Sequence, residues 1–282
     1  MSVKKEPSGR RSVQVEVEVP GTPEEVWRAI GTGAGISSWF VPSKIEERVG
    51  GKIICSFAPG MDSTATITAW NPPHYSAAES RDLGATAPNA PTLASEWFVE
   101  ARDGGTCIVR VVHSLFASTD DWDKQLKDTE SGWPAFFHTL RLVLTHFRGQ
   151  QFAAIHELSM PLGPESQVWD KLAGALGVAS AAVGQKCRAS IAVPPLAGTV
   201  ERVGAGRHKN QVILLLDQPA PGVGLFHAFE CDGPVMASIN LYLFGDSAAR
   251  VVARDASCWR AWINAQLPSA APASAGAASG TD

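Results

Sequence analysis

The sequence predicts an α+β fold: a curved antiparallel sheet wrapped on a long C-terminal helix, with two such units in tandem. Three observations predict it. A phrase near the start, Glu16-Val-Glu-Val-Pro20, Gly-Thr, Pro23-Glu-Glu-Val-Trp27, has a loose echo halfway along, Glu157-Leu-Ser-Met-Pro161, Leu-Gly, Pro164-Glu-Ser-Gln-Val-Trp169, with one residue inserted. Self-similarity at this spacing points to two similar units. Each copy is followed by a run of short strand candidates. Each half then closes on an amphipathic helical pattern that carries tryptophan.

The elements follow in order. Residues 1–12 read as a disordered terminus, with Lys4, Lys5, Arg10 and Arg11 as solvated charges that no apolar face accompanies. Val13–Val19 alternates apolar and polar residues, as a strand does. Pro23 suits the first position of a helix capped by Thr22, with Glu24 and Glu25 favouring its positive end. Gly31, Gly33 and Gly35 break that helix and link it to a short turn, Ile36–Phe40. They follow a helix rather than a strand, so they do not form a nucleotide loop. Strands are expected at 44–49, 52–57, 63–70, 74–80, 94–101 and 106–114, punctuated by Gly, Pro, Asn and Asp turns. The stretch 82–91 reads as a loop. The acidic run Asp120, Asp121, Asp123 and Asp128 reads as a solvated connection, because it lacks the glycine and terminal Glu of a calcium loop. From Trp133 to Phe147, apolar residues recur at three- and four-residue steps, which predicts the long helix.

The second half repeats the plan: a strand at 152–160, a helix at 165–176, strands at 188–193, 199–203, 211–216, 224–230 and 236–244, and a last helix at 248–267. Domains are accordingly expected at 13–150 and 151–267. Residues 268–282 have the composition of a disordered tail.

Composition limits the function. Hydrophobic residues make up 45% of the 282 and charged residues 18%, enough for packed cores. A net charge of -4 argues against a broad nucleic-acid surface. No apolar stretch reaches the roughly 18 residues of a membrane helix, and the N-terminus lacks a leader-like apolar run, so a cytoplasmic location is expected. The five cysteines contain no C-x-x-C pair, which fits reduced thiols. No His, Cys, Asp or Glu cluster has metal-ligand spacing; neither a metal nor a cofactor is expected.

The residues Pro23 to Ile30, Trp39-Phe40, Val49-Gly-Gly51 and Gly132-Trp133 occur in an order that resembles the SRPBCC superfamily, also called START-like or helix-grip. Within it they look most like the branch named for the activator of a heat-shock-protein ATPase. The resemblance covers about residues 13–148, and the second half is similar only through its repeated phrase and terminal helix. It implies a hydrophobic pocket between sheet and long helix, of the kind that holds lipids, sterols or polyketides in relatives. A small apolar molecule is therefore the expected partner. A co-chaperone-like or regulatory protein partner is the alternative, and a polyketide cyclase-type enzyme ranks third, since no catalytic constellation is assembled in the sequence.

Candidate pocket residues are Trp39, Trp70, Trp97, His113, Phe116, Trp133, Phe137, Leu140, Arg141 and Leu144, with Glu96 and Arg110 as further polar groups. Core packing is the rival reading for each, since burying one large side chain is worth about 1.5–3 kcal/mol. An empty void of roughly 300 Å3 would cost about 7 kcal/mol, as much as a typical domain's stability. Such a pocket must therefore be partly polar, filled, or nearly closed by large side chains.

Overall fold

The computed structural model describes residues 3–81, 91–190, 194–230 and 233–269. The chain divides into two compact units. One comprises Met1–Ala154, Ala220–Val223 and Leu241–Ala249; the other comprises Ile155–Pro219, Gly224–Asn240 and Arg250–Asp282.

In the first unit, β1 (Lys4–Lys5) and β2 (Arg10–Pro20) lead to α1 (Pro23–Ile30) and α2 (Gly33–Ser37). The meander β3 (Ser43–Ile45), β4 (Lys52–Ser56), β5 (Asp62–Asn71), β6 (Tyr75–Ser80), β7 (Leu93–Arg102) and β8 (Thr106–Phe116) follows, and α3 (Asp123–His146) closes the unit. The sheet order is β1-β2-β8-β7-β6-β5-β4-β3, with every neighbouring pair antiparallel. Register places Val13, His113, Ser95, Ala78 and Ile67 in one row across five strands. Directly opposed residues share a face, and this is the face that α3 covers.

The second half of the chain follows the same plan. β9 (Phe152–Ser159), α4 (Glu165–Leu176), β10 (Lys186–Arg188), β11 (Ala197–Val203), β12 (Gln211–Gln218), β13 (Gly222–Glu230), β14 (Val235–Phe244) and α5 (Ala248–Gln266) follow one another. The sheet order is β10-β11-β12-β13-β14-β9. In both sheets the first long strand lies beside the last strand of the meander, β2 by β8 and β9 by β14. That shared topology is the tandem helix-grip fold.

Local chemistry explains the elements. Thr22 Oγ1 accepts from the Glu25 amide while the Glu25 carboxylate accepts from the Thr22 amide, a complete capping box ahead of Pro23. Gly177, at φ 70°, ends α4 in the left-handed conformation that favours glycine. The Gly33–Gly35 segment is the first turn of α2 rather than a flexible link. A Cβ at Gly35 would lie 1.9 Å from the Arg28 carbonyl oxygen, so only glycine lets α2 approach α1 this closely. Trp39, fully buried, fastens the pair by donating from Nε1 to the Ala29 carbonyl at 2.9 Å.

The structure corrects three expectations. Residues 4–5 and 10–12 form strands, with Val3 and Arg11 buried. Their basic side chains are not simply solvated: Lys5 and Arg11 both pair with Asp120 and Asp123, at 2.6–2.9 Å. Hydrogen bonds from Lys5 and then Arg11 hold the Asp120 carboxyl below its ordinary value. Burial alone would raise Asp123, but the same two cations bring it below its ordinary value as well. Finally, α3 begins ten residues before Trp133 and runs through Pro134. Leu126, on the added turns, joins Val3, Val13 and Leu115 in a buried cluster, and that burial outweighs a missing amide at Pro134. The expected tail lies almost wholly outside the described residues; Ser269, at its start, bridges to Pro161.

Two outcomes are expected. Gly35→Ala should lower stability by about 1–3 kcal/mol, the range for overpacking; an unchanged urea midpoint would show that the helices have room to part. Asp123→Asn should speed amide hydrogen exchange at residues 3–12 while leaving the second half of α3 as protected as before. Equal exchange in both proteins would mean that the ion pairs do not hold the terminal strands.

Candidate functional site

The inner face of the first sheet carries Cys107, Val109, Val111 and His113 on β8, and Ser95, Trp97 and Val99 on β7, by strand alternation. Opposite them, α3 presents Leu126, Glu130, Trp133, Phe137, Leu140 and Leu144, a stripe at three- and four-residue steps. Aromatic rings fill much of the space between. Trp97 meets Trp133 edge-on at 5.2 Å and Phe137 at 6.0 Å, while Trp39 meets Trp97 and Phe137 at 6.4 Å. Phe40 stacks on Trp133 at 5.3 Å and meets Phe136 and Phe57 edge-on.

A polar chain lies inside this aromatic set. Trp133 Nε1 donates to His113 Nε2 at 2.8 Å, and His113 Nδ1 lies 2.9 Å from Ser95 Oγ. His113 is buried, and burial pushes its pKa down to about 4. An indole N–H only donates. Nε2 must therefore accept, the ring is neutral, and its proton sits on Nδ1. This is the wrong tautomer for drawing a proton from Ser95, so the pair is not a nucleophilic dyad.

The interior is not sealed. Ile53 and Cys55 on β4, Ser63 and Ala65 on β5, and Ser95 and Trp97 on β7 all point to the inner face, yet each remains partly accessible. So do Phe40, Trp133 and Phe136. Together they outline an accessible strip beside the closed aromatic core.

Of the sequence candidates, Trp39, Trp97, His113, Trp133 and Phe137 come together here. Leu140 is fully buried core further along α3. Trp70 meets Trp27 of α1 edge-on at 5.2 Å. Phe116 and Arg141 are corrections. Phe116 is 65% exposed at the end of β8, and Arg141 is exposed on the solvent side of α3. Alternation likewise sends Glu96 and Arg110 to the outer face. There Glu96 pairs with Arg10 and accepts from Tyr75, and Arg110 lies over the Phe98 ring. Ser95 and Glu130 were missed. The first is visible only through its register with His113, the second only once α3 is known to extend upstream of Trp133.

Two half-open clefts lie elsewhere. One, of about 360 Å3, is lined by Ala29, Ala34, Val143, Leu144 and Phe147 in the first unit. Leu144 stands three turns, about 16 Å, along α3 from Trp133. The other, of about 270 Å3, lies in the second unit between Leu162, Val168, Lys171 and Leu267. Neither contains the buried polar chain. Among the described residues no group of His, Cys, Asp and Glu side chains has the arrangement of a metal site. Cys55, Cys107, Cys187 and Cys258 are free thiols. Among the described residues no helix is long and apolar enough to cross a membrane.

No protein-family model and no curated protein matches this chain. Among solved structures it is similar to the di-domain aromatase/cyclase BexL of the BE-7585A biosynthetic pathway. That likeness has 16% identity and TM-score 0.43, covering 93% of this chain and 100% of that one. It is also similar to DynU16, a protein of the dynemicin biosynthetic locus, at 17% identity and TM-score 0.40, covering 89% and 95%. The Aha1 dimer from Colwellia psychrerythraea is similar at 18% identity and TM-score 0.40, covering 49% of this chain and 98% of that one. The sheet order and closing helices of this chain, rather than these distant likenesses, define its fold as helix-grip.

The buried histidine yields a pH prediction. Unfolded, His113 binds a proton near pH 6.5; folded, near 4. The native state therefore binds fewer protons between those values, and stability falls as pH drops through that window. The loss levels off below pH 4, at about 3 kcal/mol in all. Urea unfolding at pH 7 and pH 5 should show this decline, and His113→Gln should lose about one proton's worth of its slope.

Proposed function

We propose that residues 13–150 form a domain that binds a small apolar, lipid- or polyketide-like ligand in the accessible strip between the sheet and α3. The observation that carries this reading is the partial accessibility of inward-facing Ile53, Ala65, Ser95 and Trp97 beside the rings of Phe40, Trp133 and Phe136. Residues on a sheet face covered by a helix are ordinarily sealed. Here they border aromatic rings that offer edges and faces to a flat guest, each such pair worth about 0.5–1.5 kcal/mol beyond area burial. A domain at 151–267 keeps the fold with a filled interior: Leu225, Phe226, Ile239, Trp259 and Ile263 are fully buried. That supports assigning binding to the first half.

Naphthalene is a suitable probe, followed through tryptophan fluorescence. The protein should bind it saturably. Ala65→Trp, which places a large ring on the accessible strip, should weaken binding at least about tenfold without lowering the melting temperature. Undiminished binding by a folded Ala65→Trp protein would place the ligand elsewhere, and an absence of saturable binding to the natural chain would rule the reading out.

A further inference from the structure

Two polar groups at one end of this interior lack matching partners among the described residues. The first is the Ser95 hydroxyl. Because Trp133 donates to His113 Nε2, His113 Nδ1–H donates to Ser95 Oγ. The Ser95 oxygen is thus an acceptor in this chain, and its own O–H must find an acceptor elsewhere. The second is Glu130. It is only 9% exposed, and neither a hydrogen bond nor an ion pair reaches it from the described residues. Its side chain is packed away while its carboxylate oxygens are not sealed from solvent, so they stay open to a donor on a guest.

The two lie at the same end of the site. On α3, Glu130 falls one turn from Leu126 and one turn from Trp133. Leu126 packs with Val13 and Leu115, with Leu93 against that cluster, and Trp133 bonds to His113. Glu130 therefore faces the stretch of sheet where Leu93, Ser95, His113 and Leu115 sit side by side.

Resting on the binding role proposed above, we infer that Ser95 and Glu130 form a polar end to the site that selects ligands bearing a hydroxyl group on an apolar body. A hydroxyl is the one small group that answers both: its oxygen accepts from Ser95, and its proton goes to Glu130. A carbonyl meets Ser95 but turns its oxygen toward another acceptor. An amine meets Glu130 but gives a poorer acceptor to Ser95. The Trp133–His113 pair acts here through Ser95, as a positioning device that fixes which way the serine donates.

The test compares 2-naphthol with naphthalene by calorimetric titration of the full chain, as natural protein, Ser95→Ala and Glu130→Gln. The natural protein should prefer 2-naphthol by about tenfold or more, the scale of one buried hydrogen-bond pair. Each variant should lose most of that preference, read as the ratio of the two affinities within one protein. Nitrogen NMR of His113 should show the proton on Nδ1. A preference that survives in Ser95→Ala overturns the inference, as does a proton on Nε2. An equal loss of both probes in the variants also overturns it, since the residues would then be structural. Naphthalene binding without any preference for 2-naphthol removes this inference alone. Failure of both probes to bind removes the binding role and this inference together.

Discussion

The hydrogen bond from the Trp133 indole to His113 is the constraint on which the interior depends. It is one contact, but it joins the long helix to the middle of the sheet, and a helix pinned at one residue has its rotation fixed. With Trp133 over His113, the residue four positions on, Phe137, is set against Trp97 and Trp39. The residue seven positions back, Leu126, is set against Val13 and Leu115. The same bond decides the imidazole tautomer, and through it the polarity of Ser95. Packing, orientation and chemistry in this region share one donor that cannot act as an acceptor.

The fold was legible where local rules act alone. Thr22 and Pro23 announce a helix through backbone groups within four residues, and that helix is capped as its sequence implies. α4 spans the residues that its apolar spacing marks, up to a left-handed glycine. The start of α3 was not legible, because Gly132 and Pro134 are breakers by propensity and the turns before them are acidic. Only tertiary burial of Leu126 makes the helix worth continuing there. The site was half legible. Aromatic residues on the long helix advertise themselves by spacing, so Trp133 and Phe137 were identifiable. Ser95 was not, since its significance comes from pairing with His113 across eighteen positions. Phe116 and Arg141 misled for a related reason: strand ends and helix backs share the composition of strand middles and helix fronts.

Charge shows the same limit in another form. The basic cluster at Lys5 and Arg11 and the acidic run at Asp120 and Asp123 each look like solvated surface when taken alone. The fold brings them together across more than a hundred residues and partly buries the result. A short run of like charge reports its own repulsion, and the opposite run that relieves it lies beyond any local window. The consequence is a terminal segment ordered by distant partners, charged ones at Lys5 and Arg11 and apolar ones at Val3.

The placement of the first long strand beside the last one has a temporal meaning. β2 pairs along its whole length with β8, from Arg10 opposite Phe116 to Pro20 opposite Thr106. β9 waits in the same way for β14. A nascent chain emerging from the ribosome cannot close the first sheet until β8 has appeared, nor cover it until α3 has. Loop closure over such separations is slow compared with local helix formation. The α1 and α2 pair, tied by Trp39, can settle early, while β2 is held open with its apolar face unpaired. Each half of this protein is thus most vulnerable to misassociation just before its closing helix is made, and a tandem chain passes through that interval twice.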